Sequence, residues 1–497
     1  MSLLFSSAAA FAFIAALAVL FGCRSGPRQT WLIIGPTQIV EGDEARFEIL
    51  DLPKRTGEWR EGKLIWSVEP SEAAWIERSD QVPSHLPAMK VQLHTNEVDY
   101  DTSVTVTCVL QEGDRQKWIS EFPLNILNIP AGWRYETIAQ DTSHGCSMQL
   151  DSMGRPVIAY RDMVADRATK RTNVSYTRRS VAYWDGSVWQ TSAPCPVERW
   201  TNILTLDQHD NPCLPCTGPS SQGYAPQCLT WDGEAWDTTT IDPGARSSFI
   251  RFAYAGGKAT LYTVYHIGDD RTQLGFAANS SAKWRSSRIA MPEELRGSKI
   301  VYGSSIQPEL KANSEAGTLP HVLVSADLYG HESEAIMLHF TPANGDWGFK
   351  VIQGLEGGSC AVDNTERLHW LYKANGGEAG YGIWDGIELE SYPLPDSYSA
   401  AASGIALDGE QRPHFLYTTH MDGHWELVHC VRKNSQWIST VIELLGTTQC
   451  SLAVGADGYV HVAAIDSRPH KQLLPAGEYH DGPGEPLSLK YVSFPCP

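Results

Sequence analysis

Between residues 29 and 128 apolar and polar positions alternate with a period of two, in runs such as "KLIWSVEP", "MKVQLHT" and "TSVTVTCVLQ". Alternation of that period puts successive side chains on opposite faces of a strand, one face apolar and one wet. Gly, Pro and Asp interrupt the runs about every eight to twelve residues, the spacing of an all-β sandwich. Trp66 is a candidate core residue, and Cys108 stands alone in "VTVTCVL", so no disulfide joins two sheets here. "NILNIPAGW", residues 125 to 133, is the expected linker.

Beyond the linker the same kind of pattern repeats. "CSMQLDSMGRPVIAYRD" (146 to 162), "NILTLDQHDNPCLPCTG" (202 to 218) and "SGIALDGEQRPHFLYTT" (403 to 419) share a short apolar strand, an Asp-led turn and a second strand. Weaker copies begin near 249, 306, 359 and 450, giving a mean period of roughly 51 residues. A second hairpin follows each first one: "SVAYWDGSVWQTSAP", "CLTWDGEAWDTTTID", "YGIWDGIELESYPL" and "HCVRKNSQWISTVI". Asp-Gly between two strands is a strong hairpin signal. Two hairpins per repeat make four strands, which is the pattern of a β-propeller blade. The expected fold class is therefore all-β, a sandwich at 29–128 followed by a seven-bladed β-propeller at 133–497. The last copy runs one strand short, and "WRYETIAQ" (133 to 140) reads as the strand that completes it, so that pairing of the two ends closes the ring. Trp189, Trp236, Trp347 and Trp437 occupy one repeat position and are expected to pack between blades.

Composition narrows the partners. The formal net charge is −19, and Lys and Arg are nowhere clustered, which argues against nucleic acid. "AAAFAFIAALAVLFGC", residues 8 to 23, has the length of a signal-peptide apolar region and is short for a membrane span. Ending on Leu-Phe-Gly-Cys, residues 1–23 resemble a lipoprotein signal with a bacterial lipobox, which implies cleavage just before Cys23, lipidation of Cys23 as the first mature residue, and a body held outside the cytoplasm. Secretion and a retained anchor are the alternatives. In an oxidising compartment the remaining cysteines can pair. Cys213, Cys216 and Cys228, with His209 upstream, have in outline the spacing of a zinc site; a Cys216–Cys228 bridge across a hairpin and buried free thiols are the other readings. No cofactor or metal is expected.

Short signatures of several enzyme classes are missing: no Gly-x-Ser-x-Gly, no phosphate-binding Gly-rich loop, no His-Glu-x-x-His. The Asp-led turns and the Trp after a Gly hairpin resemble the sialidase-like, BNR-type family of secreted bacterial propellers, and the N-terminal strands resemble bacterial Ig-like domains. "WDGSVW" and "WDGEAW" keep the Asp-Gly and final Trp of that family's box and lack its leading Ser; the Arg-Ile-Pro segment of sialidases is absent. In a propeller the loops that enter the first strand and leave the second gather at the channel mouth. Those positions are His144, Arg161, Asp162, Arg199, Trp200, Arg246, His266, Asp327, Lys373, His420 and Asp466. Arg161, Asp162, Trp200, Asp327, Lys373 and Asp466 are the candidate ligand contacts. Asp residues that recur at equivalent points serve a structural turn as readily as a ligand.

Two functions remain open. One is an envelope-anchored, monomeric binding protein whose propeller face takes a glycan or a protein. The other is a polysaccharide-active enzyme, a lyase or a glycoside hydrolase. A lyase needs a neutral base for the proton α to a uronate carboxylate and a cation for the resulting enolate. His144, His266 or His420 with Arg161 or Arg246 are its candidates.

Overall fold

The computed structural model describes residues 32–34, 38–50, 62–78, 90–112, 115–164, 176–195, 203–221, 223–245, 250–254, 260–267, 273–280, 283–289, 322–327, 335–343, 346–353, 355–374, 379–394, 401–421, 424–442, 450–466 and 487–497. Every described element is a strand. The expected signal segment, Cys23 included, lies outside the described residues.

Eight strands form the N-terminal part: β1 (Leu32–Ile34), β2 (Gln38–Val40), β3 (Glu44–Leu50), β4 (Gly62–Glu69), β5 (Ala74–Arg78), β6 (Lys90–Thr95), β7 (Thr102–Glu112) and β8 (Arg115–Leu127). They make two sheets, in the orders β1-β3-β6-β5 and β2-β8-β7-β4. The alternating apolar positions of both sheets meet in one core, in which Phe47, Val91 and Leu93 of the first sheet face Leu64, Val106, Phe122 and Ile126 of the second. Trp66 stands opposite a fully buried, unbridged Cys108 and packs on that core from its edge.

The rest is a series of antiparallel meanders. The first is β9 (Arg134–Leu150), β10 (Pro156–Val164), β11 (Tyr176–Trp184) and β12 (Trp189–Thr191); the next is β13 (Thr205–Leu206), β14 (Pro212–Ser220), β15 (Gly223–Trp231) and β16 (Trp236–Thr240). Then come β17 (Ile250–Tyr254), β18 (Thr260–Ile267), β19 (Gln273–Ser280) and β20 (Lys283–Ile289), followed by β21 (Val322–Asp327), β22 (Ala335–Ala343) and β23 (Asp346–Gln353). The strand expected ahead of β21, near 306, lies outside the described residues. After these come β24 (Leu355–Val362), β25 (Leu368–Ala374), β26 (Ala379–Trp384) and β27 (Leu389–Pro393), and β28 (Ala401–Leu407), β29 (Pro413–Met421), β30 (His424–Lys433) and β31 (Gln436–Val441). The last strands are β32 (Cys450–Val454), β33 (Tyr459–Asp466) and β34 (Leu487–Pro495).

These last three join the first meander in one sheet of order β12-β11-β10-β9-β34-β33-β32. The long β9 serves both halves: its first part pairs with β34, Arg134 opposite Ser493 and Thr137 opposite Lys490, and its second part pairs with β10. The segment "WRYETIAQ" thus finds its partner at the other end of the chain. Successive meanders bury faces on one another. Val157, Ala159 and Val181 meet Leu214, Cys216 and Leu229; Leu371 and Tyr381 meet Phe415 and Tyr417; Leu416 and Leu427 meet Val460, Val462 and Phe494.

The Asp-Gly turns and the tryptophans after them behave as a unit. Asp185 accepts hydrogen bonds from the backbone N–H of Ser187 (2.8 Å) and Val188 (2.9 Å), while Gly186 takes the positive φ of 110°. Each tryptophan then reaches the meander before its own. Trp189 packs on Tyr491 at 5.3 Å, the Trp236 indole N–H donates to the Ala193 carbonyl (2.8 Å), Trp347 packs on Phe276 and Trp437 on Tyr381.

Candidate functional site

Each meander has two ends. At the end where the first strand turns into the second, the Asp-led turns are fully engaged in structure. Asp363 Oδ1 accepts from the backbone N–H of Thr365 (2.8 Å) and Arg367 (2.9 Å), and Oδ2 accepts from Arg367 Nε (2.8 Å). Asp408 repeats this with Glu410, Arg412 and Arg412 Nε, as do Asp151 with Met153 and Arg155, and Asp207 with His209 and Asn211. One carboxylate satisfying two backbone donors of its own turn is an Asx turn, which is why Asp leads each copy.

Two of these aspartates also hold a buried histidine. His369 Nε2 lies 3.2 Å from Asp363 Oδ2 and its Nδ1 lies 2.6 Å from Tyr381 Oη; His414 Nε2 lies 3.3 Å from Asp408 Oδ2 and its Nδ1 lies 3.0 Å from His429 Nε2. A third, His461, meets Tyr491 Oη at 2.7 Å. Burial lowers the pKa of all three, and that of His429 to about 3, so these rings are neutral at neutral pH. The spacing Asp-x-x-x-Arg-x-His, visible in "DNTERLH" and "DGEQRPH", was the sequence signal for the first two.

At the opposite end lie the positions expected at the channel mouth. Arg161, Asp162, His266, Lys373, His420 and Asp466 fall in the last part of the second strand of their meander, β10, β18, β25, β29 or β33, and Asp327 ends β21, the first described strand of its own. His144 sits in β9 just before Gly145, at the register shift between Tyr160 and Arg161. Similar shifts occur in β24 between Glu356 and Gly358 and in β28 between Ala402 and Gly404, at or next to the same level of the second strand. A β-bulge re-aims side chains, and bulges concentrate beside functional sites. Of the expected residues, the side chains of Arg161, Asp162 and Asp466 are described; those of His144, His266, Asp327, Lys373 and His420 lie outside the description, as do Arg199, Trp200 and Arg246 altogether.

Asp162 and Asp466 come to neighbouring levels of the closing sheet but to opposite faces of it. Asp162 pairs with Thr142 and Thr142 with Leu487, whereas Asp466 pairs with the next residue, Ser488, so that Asp162 shares the face of Tyr160 and Asp466 that of Ala464. The Ser180 hydroxyl donates to Asp162 Oδ2 at 2.5 Å, but burial still raises the Asp162 pKa. Tyr160 is pushed up to about 12 by burial and by the Asp162 charge. Arg179, cross-strand from Arg161, is 1% exposed, and burial lowers the pKa of both guanidinium groups. Asp162, Tyr160 and Ser180 share the face that meets β33 and β34, whereas Arg161 and Arg179 share the face toward the second meander, so this end of β10 presents an acid with hydroxyls on one side and guanidinium groups on the other. Ser180, Thr142, Tyr160 and Arg179 escape sequence reasoning because the 165–175 segment hides the β10–β11 register.

Of the three readings of Cys213, Cys216 and Cys228, the structure has buried free thiols. Cys216 faces the first meander beside Leu214 and Leu229, whereas Cys213 and Cys228 face the third beside Ile241 and Tyr265. Cys216 and Cys228 therefore lie on opposite faces of one sheet, and no bridge joins them. The same geometry removes the zinc reading of this trio. A cleft of about 830 Å³ also opens between the N-terminal sheets and β9, walled by Glu41, Asp43, Glu44, Glu97, Trp133 and Glu136.

No family model matches the chain, and no curated protein does. Among solved structures, the chain is similar to the polysaccharide lyase Uly1 (7% identity, 72% of this chain and 91% of that chain, TM-score 0.45). It is also similar to the six-bladed, fucose-recognising lectin of Aleuria aurantia (12% identity, 69% and 97%, TM-score 0.34). A third is the β-propeller domain of the trilobed protease from Pyrococcus furiosus (9% identity, 83% and 98%, TM-score 0.37). Likeness at this level transfers no activity.

Proposed function

We propose that the chain is an exported, Cys23-anchored protein in which an Ig-like sandwich at 29–128 carries a seven-bladed β-propeller at 133–497, and that the mouth of the propeller binds an extracellular glycan. The observation that supports this most is the coincidence at one end of the meanders. The register shifts of β9, β24 and β28 lie at or next to the level of Arg161 and Lys373, close to Asp162. Bulges re-aim side chains, and carboxylate, hydroxyl and guanidinium groups at such an end can exchange hydrogen bonds with sugar hydroxyls.

The test is a glycan array with the protein lacking residues 1–23, read for bound protein and for released product. Binding without turnover, weakened roughly ten-fold or more by Asp162→Asn, is expected, since losing a hydrogen bond to a charged group costs about 1.5–3 kcal/mol. Release of a 4,5-unsaturated product would overturn the binding reading in favour of a lyase; no binding to any glycan would leave a protein ligand.

A further inference from the structure

The turn end of β28–β31 differs from its counterpart in β24–β27 in one respect. Both hold an Asp–Arg–His group of the same spacing, yet among the described residues only the group of β28–β31 receives a third donor atom from elsewhere in the chain. Cys496, after the end of β34, brings Sγ to 3.6 Å from His414 Nε2, which is itself 3.3 Å from Asp408 Oδ2. All three donor atoms lie within 4.8 Å of one another. Asp363 and His369, in the counterpart, meet only Arg367, Thr365 and Tyr381.

We infer that Asp408, His414 and Cys496 form a binding site for a tetrahedral, borderline-soft divalent cation such as Zn²⁺. The distances carry this. With bonds of about 2.0 Å to N and O and about 2.3 Å to S, tetrahedral edges are about 3.3 Å for N–O and about 3.5 Å for N–S. The two edges measured from His414 match both. The chemistry of the set matches as well: one imidazole, one carboxylate and one thiolate is a nitrogen–oxygen–sulfur combination that suits zinc better than magnesium or calcium. Among the described residues no fourth protein donor joins them, so the fourth position falls to water.

The surroundings are arranged as they would be around a metal. Asp408 is oriented by Arg412 Nε at 2.6 Å and by two backbone N–H groups, leaving further lone pairs on its oxygens. His414, fully buried, has its other nitrogen 3.0 Å from His429 Nε2, the outer partner that fixes a ligand ring. His429 is held in turn against the Phe494 ring. Cys496 is half-buried and gives the cation its approach.

Binding has a defined proton balance. Without metal, His414 Nε2–H donates to Asp408 and Nδ1 accepts from His429 Nε2–H. With metal on Nε2, the proton of His414 moves to Nδ1 and donates to His429 Nε2, whose proton moves to Nδ1. One proton leaves, from the Cys496 thiol. The ion would tie the closing strand β34 to the turn of β28–β29, a clip rather than a reaction centre.

The test uses the whole protein lacking residues 1–23, reduced and stripped of metal, titrated with Zn²⁺ and separately with Co²⁺. The expected result is one equivalent bound, a sulfur-to-cobalt charge-transfer band, and reversal of the His414 and His429 tautomers in ¹⁵N spectra. Cys496→Ser should remove the band and weaken binding by more than the roughly 10–100-fold that outer-shell changes cost, whereas Asp363→Asn should leave it intact. Cys496 is half-buried at a chain end, and its serine variant is checked for native unfolding without metal. No binding by the parent, or binding that survives Cys496→Ser undiminished, would overturn the site.

Discussion

Asp363 shows how much a single buried carboxylate can organise. Its side chain is 1% exposed and answers two backbone N–H groups, an arginine and a histidine. Burial alone would raise its pKa, but the donors from Arg367, Thr365 and His369 overcome that and hold it below the usual carboxylate range. A carboxyl lowered in the folded state contributes stability that is present above its unfolded value of about 3.9 and is lost as pH falls through the folded value. The buried histidines push the same way, because rings kept neutral by burial favour unfolding once the pH drops below their unfolded value of about 6.5. Stability should therefore decline in two stages on acidification. Asp363→Asn should cost about 1.5–3 kcal/mol at pH 7, with the gap to the parent shrinking below pH about 4, as measured by urea unfolding across that range.

At the scale of an element, β9 is the unusual strand, because its two parts serve two sheets' worth of partners. The change of partner falls where Ser143 and Cys146 pair with Arg161 and Tyr160 and the two residues between are left over. Gly145 takes φ of 102° there, a conformation closed to side chains with a Cβ. Gly145→Ala should therefore cost about 1–2 kcal/mol, seen as a lower denaturant midpoint at unchanged slope. A larger loss with a changed slope would mean that β9 is no longer shared. The sequence made this strand legible only in part. "WRYETIAQ" is recognisable because it has no hairpin partner nearby, and the Asp-led and Asp-Gly turns mark the meanders because each turn's chemistry is local. What could not be read are contacts made at long range. Cys496 lies 82 residues from His414, and Ser180 meets Asp162 across a loop whose length gives no register. The alternative of a Cys216–Cys228 bridge is absent for a related reason: closeness along a hairpin says nothing when the two positions face different neighbours.

On the scale of the whole molecule, the N-terminal sheets and the meanders are joined by a buried charge. Asp43, in the turn between β2 and β3, receives hydrogen bonds from Tyr135 Oη (3.0 Å), Thr137 Oγ1 (2.6 Å) and Lys490 Nζ. Burial raises the Asp43 pKa, yet the Lys490 ammonium and the two hydroxyls more than reverse it, and the carboxyl stays ionised. Lys490 is 4% exposed and belongs to β34, while Tyr135 and Thr137 belong to β9, so Asp43 is fastened to the two strands whose pairing joins the chain ends. Nearby, Glu41 accepts from the backbone N–H of Val98 (2.6 Å) and Ile129 (2.8 Å), which fixes the turn and the linker together. A buried pair adds little net stability over an apolar replacement, but a broken one strands a charge. Lys490→Met should therefore cost about 3–5 kcal/mol, and Asp43→Asn with Lys490→Met should recover most of it. If the junction couples the two parts, the single variant should also split one calorimetric transition into two, the sandwich and the meanders melting separately, and the double variant should bring them back together. Additive losses in the double variant would mean that the two residues act independently and that the sandwich is held by its linker alone.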